Sequence, residues 1–122
     1  MIDPDAPSRD DAFKGPALHW ILANFQKEDL SDGQILCKTF RKISNEISFL
    51  LFLSRIDPYK GPGPGAGTGP HRYIFFLYQS SQKISEQKIE NDQRLRFPLE
   101  KYLSDNDLHL LNATFCLIEN PQ

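Results

Sequence analysis

Residues 61–78, GPGPGAGTGPHRYIFFLY, join a glycine- and proline-rich run directly to a nearly continuous apolar segment. The aromatic and β-branched content of residues 73–79 predicts a strand that lies centrally in a sheet. Because side chains alternate along a strand, we expect His71 and Tyr73 to share one face and Arg72 to lie on the other, in an ion pair. Glycines allow backbone amides to approach an anion closely. The stretch therefore raises the question of an anion site where the loop meets the strand.

The glycine run does not fit the common nucleotide-binding loops. A Walker A loop requires a lysine and a hydroxyl residue after its last glycine, whereas Pro70 and His71 follow here. Gly61, Gly63 and Ala66 have the spacing of a dinucleotide-binding loop, but a strand follows them and no strand precedes them. No helix N-terminus would then receive a pyrophosphate. Both nucleotide interpretations are excluded by this context.

The rest of the chain predicts further strands and two short helices. Residues 18–24 and 110–118 have strand character. Apolar residues recur at helical spacing between residues 37 and 56, which predicts a helix at about 38–54, and a second helix is predicted at 98–104 after a proline. Residues 80–93 are polar and predict a loop. We therefore expect a single domain over residues 1–122 with a mainly β fold, an antiparallel sheet and short peripheral helices.

The composition and charge of the chain limit which classes of function are plausible. The chain has 122 residues, 14 basic and 16 acidic side chains and a formal net charge of -2, so no basic face for nucleic acid is expected. Its longest apolar run, at 49–53, is too short to span a membrane, and the first ten residues have no apolar signal region. These features predict a cytoplasmic protein without a transmembrane segment. Cys37 and Cys116 lack the spacing of a metal or redox motif, and we expect reduced, buried thiols and no cofactor or metal.

The side chains allow an enzyme but favour a binding protein. Aspartate, histidine and tyrosine side chains, all present here, would suit acid–base chemistry or a metal site. A nucleophile is missing, because Ser8 lies outside a G-x-S-x-G turn and neither cysteine has a histidine near it in the sequence. We therefore predict a non-catalytic binding module, and turnover of a phosphoester or peptide ester would contradict that prediction.

Three segments in a fixed order resemble the signatures of one family. DPDAPSR at 3–9, HW at 19–20 and GPGPGAGTGPHRY at 61–73 resemble the phosphatidylethanolamine-binding proteins, which include Raf kinase inhibitor proteins. Gly65 stands where a second proline is usual, and the resemblance covers residues 2–36 and 59–119. Residues 37–57 are an atypical insertion without a counterpart. Family members also have a longer N-terminal segment and a C-terminal helix, so the chain is expected to be truncated at both ends and its fold incomplete.

The resemblance implies a small pocket for phospholipid headgroups such as phosphoethanolamine. The residues that it assigns to this pocket are Asp3, Pro7, His19, Gly63, His71 and Tyr73. Asp3 would orient one imidazole or face an ammonium group, and binding would strengthen below the histidine pKa of roughly 6.5 and be lost in His71→Ala. The alternative for each residue is an ordinary structural role, as for the isolated His109.

The family likeness leaves three functions open. It implies a monomer that binds a phosphate-type anion, with a kinase or a serine protease as a further partner. The chain is then a headgroup-binding module that regulates signalling, a protein-interaction inhibitor of a kinase or protease, or a truncated paralogue with little activity.

Overall fold

The fold is mainly β, as predicted. The computed structural model describes residues 1–25, 34–35, 60–85 and 89–121, and for residues 34 and 35 the backbone alone. The strands and helices that it describes are β1 (Ile2–Asp3), β2 (Ala17–Leu18), β3 (Leu22–Ala23), β4 (Gln34–Ile35), β5 (His71–Ser80), a 3-10 turn (Asn91–Arg94), α1 (Leu99–Asp105) and β6 (Leu108–Ile118). The predicted helix at 38–54, the proposed insertion at 37–57 and Cys37 lie outside the described residues.

A long antiparallel pair, β5 and β6, dominates the sheet. The strand order is β2-β1-β5-β6, so β5 is central as the apolar run predicted. The pairing runs from His71 opposite Ile118 to Ser80 opposite Leu108, with a shift in register after Leu77. Both strands are longer than the sequence indicated, because β5 begins two residues before Tyr73 and β6 begins at Leu108.

The prediction of a single strand at 18–24 is wrong in detail. The segment is divided into β2, which pairs with β1, and β3, which pairs with β4 in a separate two-stranded sheet. Between them, the amides of His19 and Trp20 both donate to the carbonyl of Met1, at 2.9 and 3.3 Å. Two donors on one acceptor interrupt the regular ladder, and the chain leaves the first sheet there.

The alternation of side chains gives the four-stranded sheet an apolar face and a polar face. Ile2 is opposite both Leu18 and Ile74, and these three side chains meet in one hydrophobic cluster. Their neighbours along the chain point to the other face of the sheet. These neighbours are Asp3, His19 and Tyr73.

Helix α1 and the segment before it cover part of the apolar face. The helix confirms the prediction at 98–104, and Pro98 occupies its N-cap. Phe97 and Ile89 join the buried cluster, and the Phe97 ring lies 5.5 Å from that of Tyr102. The region predicted as a loop at 80–93 contains the beginning of a 3-10 turn, because the side chains of Glu90 and Gln93 cap it reciprocally.

An apolar groove of about 1230 Å³ lies on the same face, lined by residues that include Trp20, Phe76 and Tyr102. None of the six predicted site residues lines it. Across the described part of the chain, no helix has the length and apolarity needed to cross a bilayer. Cys116 is a free thiol as expected, but it is half-buried rather than buried, because β6 lies at one edge of the described sheet.

Candidate functional site

The centre of the polar face is a buried pair formed by Asp3 and His71. The Nδ1 atom of His71 donates to Oδ2 of Asp3 at 2.8 Å, and both side chains are under 5% exposed. The other carboxylate oxygen of Asp3 accepts the backbone N–H of Asp5, also at 2.8 Å. The carboxylate of Asp3 thus fixes the orientation of the His71 imidazole. Both of its oxygens are engaged within the protein, which disfavours the direct contact with an ammonium group that the resemblance allowed.

A second carboxylate, Asp5, fixes the N-terminal loop to the start of β5. It accepts hydrogen bonds from the backbone N–H of Arg72 at 2.8 Å and from Nε and Nη2 of the guanidinium at 3.0 and 2.7 Å. The Arg72 hydrogen bonds are the main reason that the pKa of Asp5 falls to about 2, against the opposing effect of burial. The predicted ion pair of Arg72 is confirmed, and its partner holds Asp3 beside His71.

Tyr73 places a hydroxyl group beside the glycine loop. Its oxygen accepts the backbone N–H of Gly63 at 3.2 Å, and its hydroxyl proton is near the carboxylate of Asp3. Burial raises the pKa of Tyr73, the Gly63 N–H lowers it, and the charge of Asp3 raises it further. The side chain is therefore a neutral hydrogen-bond donor at neutral pH.

His19 contributes an imidazole with one available nitrogen. Its Nδ1 lies 3.0 Å from the carbonyl oxygen of Lys60, and its ring meets that of Tyr73 edge-on at 5.1 Å. A carbonyl can only accept, so Nδ1 carries a proton and the neutral ring has its lone pair on Nε2. Within the described residues, no hydrogen bond to Nε2 occurs. Burial lowers the pKa of His19, although the Lys60 carbonyl and the charge of Asp3 oppose that shift.

Further contacts made by Thr68 and Asn120 hold the glycine loop, and the sequence did not single out these two residues. Thr68 Oγ1 lies 3.0 Å from Nε2 of His71 and 2.7 Å from the carbonyl oxygen of Gly65. Gly67 donates its N–H to the carbonyl of Asn120 at 3.1 Å, and the side chain of Asn120 reaches the carbonyl of Pro64. The signal for Thr68 was available, since it stands within the GTGPHRY segment that carried the resemblance.

These contacts join Asp3 to His71 and join both Gly63 and His19 to Tyr73, and the charge of Asp3 acts on Tyr73 and His19, so five of the six predicted site residues form one cluster. Pro7 is the exception. It is half-buried in the N-terminal loop, and no hydrogen bond, ion pair or ring contact in the described part joins it to the others. His109 is exposed and lies 3.1 Å from Asp107, away from this cluster. Among the described residues, no group of three or more His, Cys, Asp or Glu side chains is arranged to hold a metal ion.

The cluster can therefore offer neutral donors, a buried aspartate–histidine pair and close-lying backbone to a small anion. Comparison with known proteins identifies the family. A sequence profile described as phosphatidylethanolamine-binding protein matches residues 1–115. The chain belongs to the phosphatidylethanolamine-binding protein family. The three segments that suggested this resemblance lie within the matched region, and two of them supply the Asp3–His71 pair.

Individual relatives agree with this assignment. An uncharacterized protein of Saccharomyces cerevisiae is 28% identical over 128 aligned residues, which cover 98% of this chain and 58% of the relative. Among solved structures, a carboxypeptidase Y inhibitor in complex with its cognate proteinase matches with a TM-score of 0.65 and 22% identity. A phosphatidylethanolamine-binding protein from Plasmodium vivax matches with a TM-score of 0.65 and 20% identity.

The solved structures support the fold, and they are considerably longer than this chain. Each match covers 98% of the present chain but only 57% of the inhibitor and 61% of the Plasmodium vivax protein. The chain thus spans a little more than half the length of the relatives it matches.

Proposed function

We propose that this chain is a non-catalytic module that binds the phosphate of a phospholipid headgroup, such as phosphoethanolamine, on the polar face of its sheet. The observation that carries the proposal is the convergence of His19, His71 and Tyr73 around Asp3 beside a glycine loop. A cytoplasmic location, a monomeric state and a role in signalling belong to the same proposal and remain predictions.

The donors suit a phosphate better than they suit a reaction. The hydroxyl of Tyr73 keeps its proton, and the ring of His19 gains a second donor when Nε2 is protonated. A phosphodiester has two unesterified oxygens that accept such bonds, and hydrogen bonds from charged donors are the stronger ones. Ser8, the one serine in the N-terminal motif, has only a backbone bridge to Asp11 and no contact with a histidine base among the described residues.

Charge decides when binding is favourable. A protonated His71 beside Asp3 would form a neutral pair, so the net charge of the site would then depend on His19. Because burial lowers the pKa of His19, this ring is uncharged at neutral pH. We therefore expect weak binding at neutral pH and stronger binding as the pH falls below the ordinary histidine range, when His19 adds a positive charge.

The proposal is tested by NMR titration of the protein with inorganic phosphate, phosphoethanolamine and vesicles containing phosphatidylethanolamine. We expect shifts of the His19, His71 and Tyr73 signals with the first two probes, and loss of those shifts in His71→Ala but not in His109→Ala. Binding to vesicles as well would identify a lipid as the source of the headgroup. Equal binding by wild type and a folded His71→Ala would refute the proposal.

Protease inhibition is a second candidate, supported by one comparison. The matched carboxypeptidase Y inhibitor was solved in complex with its proteinase, and it shares the fold. The test of this candidate is functional. Inhibition of carboxypeptidase Y by the purified chain at micromolar concentration would favour it, and undiminished proteinase activity would exclude it for that enzyme. A kinase partner, or a truncated paralogue with little activity, remains an alternative without a specific observation behind it.

A further inference from the structure

Thr68 lies outside the group of residues assigned to the site, yet it contacts the ring at the centre of that group. Its hydroxyl oxygen is 3.0 Å from Nε2 of His71, while Nδ1 of the same ring is 2.8 Å from Asp3. The hydroxyl is also 2.7 Å from the carbonyl oxygen of Gly65. These contacts form a continuous chain of hydrogen bonds from a carboxylate, through an imidazole and a hydroxyl, to a backbone carbonyl.

The two ends of this chain fix the direction of its hydrogen bonds. The carboxylate of Asp3 and the carbonyl of Gly65 can only accept. Nδ1 of His71 must therefore donate to Asp3. The shorter of the two contacts of the Thr68 hydroxyl, 2.7 Å to the Gly65 carbonyl against 3.0 Å to Nε2, takes its single proton. The hydroxyl oxygen then has only lone pairs left for Nε2 of His71, so that nitrogen must carry a proton too. Every bond is made only when the imidazole is protonated on both nitrogens.

A neutral ring would leave one contact unsatisfied. Nε2 of His71 would then be an acceptor, and the Thr68 hydroxyl would face two acceptors with one proton. The turn holds the Thr68 side chain in place, because the Thr68 amide also donates to the Gly65 carbonyl at 3.2 Å. His71 is 2% exposed, so water is poorly placed to replace the missing bond.

The other charges around the ring do not replace this requirement. Arg72 is bonded to Asp5 on the opposite side of the strand, and these two charges offset each other. His19 is directed to the carbonyl of Lys60, and β6 places the uncharged Ile118 opposite His71. The charged or titratable groups on the segments packed around the ring include the N-terminal amine, Asp3, Asp5, Arg9, His19, Lys60, Arg72, Tyr73, Cys116 and Glu119.

We propose that Thr68 is a positioning residue that holds His71 in its doubly protonated form, so that the Asp3–His71 pair is electrically neutral and does not repel an anion. Thr68 acts through His71 and need not touch the ligand. Both N–H groups of His71 are used within the protein, so the charged donor for the ligand is then His19, once its Nε2 is protonated. The predicted effect on anion binding rests on the proposed function. The predicted protonation of His71 does not.

The protonation state of His71 can be read directly from 15N spectra of its ring at pH 7, without any ligand. We expect protons on both ring nitrogens in the wild type and in Thr68→Ser, which keeps the hydroxyl. Thr68→Val should convert the ring largely to the neutral form, whereas Thr114→Val, a change of the same type on an exposed part of β6, should not. A wild-type ring with one unprotonated nitrogen, or an unchanged ring in a folded Thr68→Val, would overturn the proposal.

Anion binding gives a second and separate outcome. With a neutral His71 the site retains the charge of Asp3, so Thr68→Val should bind a phosphodiester about tenfold more weakly at pH 7 and recover at lower pH, while Thr68→Ser binds as the wild type does. If the wild type binds no phosphate at any pH, the proposed function fails, but the ring spectra still decide the role of Thr68. A Thr68→Val protein that binds as tightly as wild type at pH 7 contradicts the role in binding.

Discussion

Asp5 and Arg72 are 67 positions apart in the chain and are joined by three hydrogen bonds between 2.7 and 3.0 Å. The carboxylate of Asp5 is 2% exposed and the guanidinium is 46% exposed, so the arginine remains hydrated while the aspartate depends on it. This connection ties the loop that carries Asp3 to the strand that carries His71. The geometry of the candidate site therefore depends on an ion pair on the opposite face of the strand.

Replacing Asp5 by asparagine should lower the stability of the fold at pH 7. The Arg72 hydrogen bonds lower the pKa of Asp5 to about 2, from an ordinary value of 3.8. This difference corresponds to a loss of about 2 kcal/mol in the free energy of unfolding, measured by urea denaturation. Asp105→Asn changes an exposed carboxylate paired with Lys101 and is the matched control, with an expected effect under about 1 kcal/mol. Equal losses in the two variants would contradict the role of Asp5.

The Asp5–Arg72 pair also predicts how the stability of the wild type depends on pH. The native pKa of Asp5 is lower than its unfolded value, so the stabilisation is fully present above about pH 4 and is lost as the pH falls through about 2. Denaturation curves recorded between pH 5 and pH 2 should show this decline. In Asp5→Asn the decline in stability with falling pH should be smaller. A decline as steep as that of the wild type would contradict its assignment to Asp5.

Removing the Phe97 side chain should test the core on the other face of the sheet. Phe97 is 6% exposed and packs with Ile2 and Leu18. We expect Phe97→Ala to cost about 3 kcal/mol in the free energy of unfolding, because it leaves a cavity that the cluster cannot fill. Phe13 is 56% exposed, and Phe13→Ala should cost less than about 1 kcal/mol. Comparable losses would mean that the buried cluster does not stabilise the fold.

Tyr73→Phe should separate the hydroxyl from the ring that carries it. The variant keeps the edge-on contact with His19 but removes the acceptor of the Gly63 N–H and the donor proposed for the ligand. We expect phosphate to bind about tenfold more weakly by NMR titration, with little change in melting temperature. Tyr78→Phe, on the same strand, should leave binding unchanged. Undiminished binding by Tyr73→Phe would remove this hydroxyl from the site.

The sequence predicted the fold class and the central strand because aromatic and β-branched residues are concentrated at 73–79. It also predicted that His71 and Tyr73 share a face, since a strand alternates. It could not predict the break between β2 and β3, because that break depends on Met1 accepting hydrogen bonds from two consecutive amides. Such a contact between distant segments leaves no periodicity in the sequence.

The candidate site was found from a family resemblance rather than from periodicity. Asp3 and His71 are 68 positions apart, and no local pattern connects them. The contact of Thr68 with His71 could not be predicted from the sequence, because a threonine in a glycine-rich turn is ordinarily explained by the turn itself. Its contact with Nε2 of His71 emerges only when the loop and the strand are placed together.

The most direct measurement of the central claim is the pH dependence of phosphodiester binding by wild type and His19→Asn. An asparagine amide can still donate to the carbonyl of Lys60, so this variant keeps the structural bond of Nδ1 and removes the ionisable Nε2. Glycerophosphoethanolamine is a suitable probe, because its phosphodiester keeps the same charge between pH 5 and pH 8. His109→Asn provides the control on an exposed histidine.

If the cluster around Asp3 is an anion site, wild-type affinity measured by calorimetry should rise as the pH falls below the ordinary histidine value, because burial lowers the pKa of His19. His109→Asn should show the same rise, and His19→Asn should bind weakly with little dependence on pH. If His19→Asn and wild type gave the same affinity at every pH, or if the wild type did not bind the probe at all, the account of this site would be contradicted.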